Sequence, residues 1–289
     1  MKKVSVIIPV YNAEVFLREC LDSVTGQTLE DIEVICVDDA SRDGSPLILE
    51  EYAAGDDRIR VIGLDRNRFA GAARNIGLAA AKGEFLVFLD ADDFFEPDML
   101  EKMYDKCRED RADICICGGR AFDMATGKSV PADFYLDKRY LPGSLPFAPK
   151  ENPGAIFQIC NTAPWNKMFR RDFIVREKLK FQETKRSNDL YFVFMALALA
   201  NGVTAVDDEF VNYRRGTSTS LQETTGGGRF DFYRSLRALK NGLKERGLFR
   251  LYKKSYEKKA RIIWKYSVGR MLKNCLGLLS AAGRKRSRP

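Results

Sequence analysis

Three aspartates close an apolar run in this chain. The stretch EFLVFLDADD begins at Glu84 and sets Asp90, Asp92 and Asp93 within four positions. Like charges packed so closely repel each other and cost folding free energy unless a positive partner sits among them. The chain contains no histidine, so the commonest general base and the commonest transition-metal ligand are both missing. An all-carboxylate cluster suits a hard divalent cation, Mg2+ or Mn2+, which completes its shell with water and substrate phosphates. Asp90 and Asp92 are two apart, so in an extended segment both project to one side. Taken alone, the stretch also reads as a solvated loop ahead of a helix.

Other apolar runs end in the same way. VSVIIPV, residues 4–10, is followed by Tyr11 and Asn12, and IEVICVDD, residues 32–39, ends in Asp38 and Asp39. Phe16, Leu17, Cys20, Leu21 and Val24 form a helical stripe between them. RIRVIG predicts a third strand. FAGAARNIGLAAAKG predicts an alanine-rich helix closed by Gly83 at its C-terminal cap, and EFLVFLD a fourth strand. Pro97 opens the next helix, with Asp98 in its first turn. Strand and helix alternate through residue 118, and the strands are apolar throughout. That pattern predicts an α/β fold, a Rossmann-like, mostly parallel sheet flanked by helices. Ligands bind beyond the carboxyl ends of such strands, so Tyr11–Asn12, Asp38–Asp39 and Asp90–Asp93 are expected on one edge.

Residues 119–160, rich in proline, glycine and aromatics, read as a substrate-shaped insertion. SNDLYFVFMALALANG predicts a helix with Ser187 or Asn188 as its N-cap. The glycine-rich TTGGGRF marks a boundary, giving a body over 1–228 and a C-terminal segment over 229–289. Charge divides at the same place. The C-terminal segment carries 19 Lys and Arg against 3 Asp and Glu in a chain of net charge +8, so the body is net acidic. The basic segment is helical and amphipathic. Leu236, Leu239 and Leu243, then Ile262, Ile263 and Tyr266, supply its apolar stripes, and Trp264 and Tyr266 suit an interface. It fits an anionic membrane surface. Its rivals are a solvated helical cap and nucleic-acid binding, and the last leaves the acidic edge unexplained.

The seven cysteines read as buried free thiols of a reducing compartment. Cys115 and Cys117 alternate in a strand-like run and share a face. The start has no signal-peptide pattern, and no run is long enough to span a bilayer. These features predict a cytoplasmic protein, peripheral at the inner face of the cell membrane.

VSVIIPVYN, IEVICVDDASRDGS, AARNIGLAAAKGEFLVFLDADD, WNKMFRR and SNDLYF follow one another with the order and spacing of a known family. Together they resemble the family 2 glycosyltransferases of the GT-A fold, of the bacterial surface-polysaccharide type, over residues 1–220. The resemblance implies a catalytic domain over 1–228, with an acceptor side over 119–228. It also implies a metal-dependent, inverting transfer of sugar from a nucleotide-sugar to a hydroxyl of a glycan or lipid-linked acceptor. Pro9, Tyr11 and Asn12 match the motif that frames the nucleotide base. Asp39 matches the carboxylate that accepts a base imide N–H, which favours UDP or dTDP. Arg74 faces the diphosphate or the acidic cluster. Asp92 is the expected direct ligand of Mn2+ or Mg2+, with Asp90 on the ribose or on the cation's water, and Asp93 able to replace either. Asp189 matches the base that deprotonates the acceptor. Trp165, Asn166 and Lys167 match an acceptor-side motif.

Two departures stand out. Asn188 occupies the position of the first acid of the Asp189 motif and cannot take a proton. The family's histidine near YRRGTSTS is missing, leaving Arg214, Arg215 or Ser218 to touch the diphosphate. A homodimer is among the partner expectations, and nucleic acid is not. The alternative to an enzyme is a non-catalytic nucleotide-sugar-binding protein at the membrane surface.

Overall fold

A computed structural model describes residues 2–132, 135–215 and 230–265. Ser218, Tyr266 and Cys275, most of TTGGGRF, and the tail over 266–289 lie outside the described residues. Five early strands, β1 (Val4–Val10), β2 (Ile32–Asp38), β3 (Ile59–Gly63), β4 (Phe85–Phe88) and β5 (Phe94–Phe95), alternate with α1 (Glu14–Thr25), α2 (Ser45–Gly55) and α3 (Phe69–Ala80). Then follow α4 (Met99–Glu109), β6 (Ile114–Asp123), β7 (Lys128–Pro131), β8 (Lys167–Arg170), α5 (Arg171–Arg176), α6 (Asp189–Leu199), β9 (Val203–Arg215) and α7 (Asp231–Glu245). A last described helix, α8, occupies 249–265.

The nine strands among the described residues form one sheet, ordered β3-β2-β1-β4-β8-β6-β9-β5, with β7 paired to β6. Within β3-β2-β1-β4 every pairing is parallel. Strand β8 enters antiparallel between β4 and β6, while β6 and β9 are parallel to each other. Alternation along each strand divides the apolar residues between two cores, one on each face. Ile7, Ile35 and Val37 pack on one face with α6 and α7, and Val6, Ile8, Val34 and Cys36 on the other with α1 and α4. This is the arrangement that continuous apolar strands require.

Three local expectations change. Helix α3 ends at Ala80 with Ala81 as its cap, so Gly83 does not close it. Gly83 instead donates its N–H to Ser5 Oγ at 2.8 Å, and a Cβ there would lie 2.5 Å from the Ser5 backbone nitrogen. Its glycine serves close approach to β1, not a left-handed cap. Pro97 precedes α4, whose N-cap is Asp98. Residues 119–123 continue β6 into the sheet, so the irregular region starts only after them.

Candidate active site

Because β1, β2 and β4 are parallel and adjacent, their carboxyl ends share one edge of the sheet. Asp90, Asp92 and Asp93 stand beyond β4, with one ligand atom from each lying within 4.8 Å of the others. Asp93 is fully buried; its Oδ1 accepts the Arg214 N–H at 2.9 Å, and its Oδ2 has no hydrogen-bond partner. Burial raises the Asp93 pKa well above the ordinary carboxylate value, helped by the charges of Asp92 and Asp90. Burial, and then the charge of Asp90, pushes Asp92 up to about 6. An oxygen-only cluster with an unpartnered buried oxygen is what a hard divalent cation fits.

Arg214 organises this cluster from β9. Its Nη1 donates to the Asp92 carbonyl at 2.6 Å, and its Nη2 pairs with Glu19 of α1. The guanidinium carbon lies 4.6 Å from the Phe94 ring centroid and 5.1 Å from that of Phe16. Arg215 lies on the outer end of β9, in register with Asp123 of β6.

A second arginine joins the acid cluster to α6. Arg74 Nη2 meets Asp90 Oδ1 at 2.5 Å, and Nη1 donates to Asn188 Oδ1 at 2.8 Å. Gly71, one turn before Arg74, permits this closeness, since a Cβ there would sit 2.1 Å from the Gln182 carbonyl oxygen. Asn188 is the N-cap residue of α6, but its side chain makes no capping bond because Arg74 holds it. Asp189 then begins α6 and accepts a hydrogen bond from Thr162 Oγ1 at 3.1 Å. Burial raises the Asp189 pKa, against the opposing pull of Arg74 and Thr162. The residue still keeps part of its surface open, so a partner can reach it.

At the other end of the edge, Asp39 donates its N–H to the Val10 carbonyl at 2.8 Å. Its Oδ1 accepts the Arg68 N–H at 2.6 Å. Burial raises its pKa, and the Arg68 and Phe69 N–H groups oppose that rise. Asn12, at φ +50°, locks the neighbouring loop: its N–H donates to Ser41 Oγ and its Oδ1 accepts the Arg42 N–H. Tyr11 remains 47% exposed between these anchors. Pro9 sits within β1, in register with Val37.

Trp165, Asn166 and Lys167 are drawn inward. Trp165 packs edge-on to Tyr135 and stacks on Tyr213. Asn166 donates to the Cys117 and Tyr135 carbonyls, and Lys167 Nζ to the Ala163 carbonyl and Asn166 Oδ1, each at 2.7–3.0 Å. Burial lowers the Lys167 pKa. The motif thus braces the start of β8 against β6. Glu19, Phe94 and Thr162 are site neighbours that the sequence reading does not single out, and Phe16 enters it only in the apolar stripe of α1. Only their partners identify them, and those partners lie far away in the chain.

The sheet order, the acid edge and the helix beginning at Asp189 fit the α/β fold of the GT-A glycosyltransferases. The profile of glycosyl transferase family 2 matches residues 5–176, and the chain belongs to that family. EpsH of Bacillus subtilis (strain 168) is 38% identical over 227 residues, covering 76% of this chain and 62% of EpsH. The chain therefore spans less than two thirds of that relative. TarS 1-349 of S. aureus in complex with UDP-GlcNAc superposes with a TM-score of 0.73 at 23% identity, covering 88% of this chain and 71% of that one. The mannosyltransferase PcManGT of Pyrobaculum calidifontis, in complex with GDP-Man and Mn2+, gives 0.60 at 17% identity, covering 99% of this chain and 80% of that one. At these identities the two structures establish the shared fold.

Proposed function

We propose that the chain is a metal-dependent, inverting glycosyltransferase. It moves a sugar from a nucleotide-sugar, UDP-sugars being favoured, to a hydroxyl of a glycan or lipid-linked acceptor in cell-surface polysaccharide synthesis. The observation that carries this reading is the Arg74 bridge, which links Asp90 of the acid cluster to Asn188, the neighbour of Asp189. One buried cation thereby ties a diphosphate-side group to an acceptor-side group.

Each residue has a task. Asp39 offers its carboxylate to an imide N–H of the base, while Tyr11 offers an exposed aromatic side chain. Pro9 and Asn12 shape that loop. Asp92 and Asp90, with Asp93 beneath them, would hold Mn2+ or Mg2+. A divalent cation bound there supplies Lewis-acid stabilisation of charge on the departing diphosphate. Asp189 takes the proton of the attacking hydroxyl, and its raised pKa suits a base. Asn188 and Arg74 orient it. Arg214 and Arg215 line the diphosphate side, with Arg214 holding the acid loop. Trp165, Asn166 and Lys167 support the acceptor side from beneath. The complex of PcManGT with Mn2+ and that of TarS with UDP-GlcNAc support the choice of metal and nucleotide. The basic C-terminal surface is proposed to lie on the inner face of the membrane, where a lipid-linked acceptor is found.

Calorimetric titration of UDP into the chain with and without Mn2+ tests the donor site. Metal-dependent binding that disappears in Asp92→Ala is expected. UDP binding indifferent to both metal and mutation would overturn the assignment of the acid cluster. A non-catalytic sensor would bind UDP in this way yet show neither transfer nor slow donor hydrolysis.

A further inference from the structure

Phe69, the first residue of α3, has φ +66°. Glycine favours that left-handed region, and a bulky side chain there is a genuine outlier. Phe69 is also 38% exposed as a residue. Core packing therefore does not explain why an aromatic residue holds this backbone. Strain of this kind collects at ligand clamps and active sites.

Its neighbour is Asp39. The Asp39 carboxylate accepts the Arg68 N–H at 2.6 Å, the Phe69 N–H opposes the rise of its pKa, and Asn67 Oδ1 accepts that Phe69 N–H at 3.1 Å. Residues 67–69 are thus wrapped around the Asp39 carboxylate from the β3 side. On the opposite flank the Asp39 N–H bonds the Val10 carbonyl, and Tyr11 follows directly. Strands β1, β2 and β3 are neighbours in that order, and Tyr11, Asp39 and Phe69 follow them respectively, so the carboxylate comes from the middle strand with an exposed aromatic residue after each outer one.

The geometry points to Phe69 as a second aromatic wall for a nucleobase, opposite Tyr11, with the base edge on Asp39. This inference rests on the donor reading and adds to it a contact which that reading does not assign. The physics is direct. Every base has a π face that stacks on an aromatic ring whatever its edge pattern. A wall on each side also keeps water from the hydrogen bond between imide and carboxylate, which strengthens that bond. The left-handed turn is what brings the α3 backbone onto Asp39 and leaves the Phe69 ring outside the core.

The test uses calorimetry on the full chain with Mn2+, comparing UDP with inorganic pyrophosphate, which has no base. Phe69→Gly relieves the backbone, so it should melt at or above the wild-type temperature. UDP binding to Phe69→Gly should weaken roughly tenfold, with pyrophosphate binding unchanged and Phe69→Tyr within about twofold of wild type. Equal UDP affinity in wild type and Phe69→Gly would overturn the wall while leaving the donor reading intact. If UDP, dTDP and GDP all bind wild type no better than pyrophosphate, no base is read at Asp39 and both readings fall together.

Discussion

Asp189 keeps part of its surface open while burial raises its pKa from the ordinary 3.8. Burial raises it while Arg74, the Thr162 hydroxyl and a backbone N–H lower it, and burial has the larger effect. The consequence for rate is an acidic limb displaced above 3.8, since a base acts only when ionised. Asp189→Asn should lower turnover by about 10²–10⁴ and remove that limb, leaving UDP affinity intact. Steady-state rates across pH, paired with UDP calorimetry, read both effects. The stability sign is opposite. A folded pKa above the unfolded one favours the folded state below pH 3.8, and that contribution fades as pH rises through the raised value. Asp189→Asn should therefore melt at or above wild type near neutral pH. A lower melting temperature there would show that the carboxylate, not its neutral form, is what the site stabilises.

The elements that matter most for Asp189 come from both ends of the chain. Helix α3 supplies Arg74 to hold Asn188, and α7 holds the two residues before it. Asp231 Oδ2 accepts the Arg186 N–H at 3.2 Å, and Ser235 Oγ donates to the Ser187 carbonyl at 2.8 Å. Ser187 sits at φ +51°, a conformation that needs such support. Asp231 and Ser235 are both buried, so water does not replace these bonds. Asp231→Ala with Ser235→Ala should release the approach to α6, and a misplacement near 1 Å costs about 10² in turnover. UDP affinity should stay near wild type, because α7 does not reach the acid cluster. Asp231→Asn retains an oxygen for the Arg186 N–H and should keep most of the turnover. Faster hydrogen exchange over residues 183–190 in the double variant would locate the loss. Unchanged exchange and unchanged turnover would remove α7 from the account.

Across the whole molecule, α7 and α8 are strongly cationic yet are packed into the body. Ser255 of α8 accepts the Phe157 N–H and donates to Gln158 Oε1, and Lys259 Nζ donates to the Cys160 carbonyl. Burial lowers the Lys259 pKa to about 8. Their outer surface exposes Phe230, Tyr233, Ile262 and Trp264, with Trp264 edge-on to the buried Phe232. No described helix is long and apolar enough to cross a membrane. A surface contact of this kind gains about 1 kcal/mol for each basic residue near an anionic bilayer. The chain has two tryptophans, and Trp165 is 3% exposed. A blue shift of emission on vesicles rich in phosphatidylserine should therefore come from Trp264. It should vanish in Trp264→Phe and on neutral vesicles. An equal shift on neutral vesicles would argue against charge as the driving force.

The strands and helices of the parallel half, the acid edge and the start of α6 were legible in the sequence because each rests on local periodicity and local charge, whereas the order of the strands was not. The runs VSVIIPV and IEVICVD are apolar at every step, so burial on both faces follows from composition alone. Gly83 misled because a glycine after a helix signals a cap, whereas here it is demanded by β1, nearly eighty residues away in the chain. Asn188 looked like a cap by residue type, but its side chain is held by Arg74, a pairing that no spacing rule encodes. Trp165, Asn166 and Lys167 match an acceptor-side motif in the sequence, and only the packing of β6 and β9 shows that their side chains are buried. The sequence by itself determined which groups could do chemistry at the sheet edge. Tertiary structure alone decided which of them meet, because Arg74, Arg214, Thr162 and Ser235 act across long separations that only packing closes.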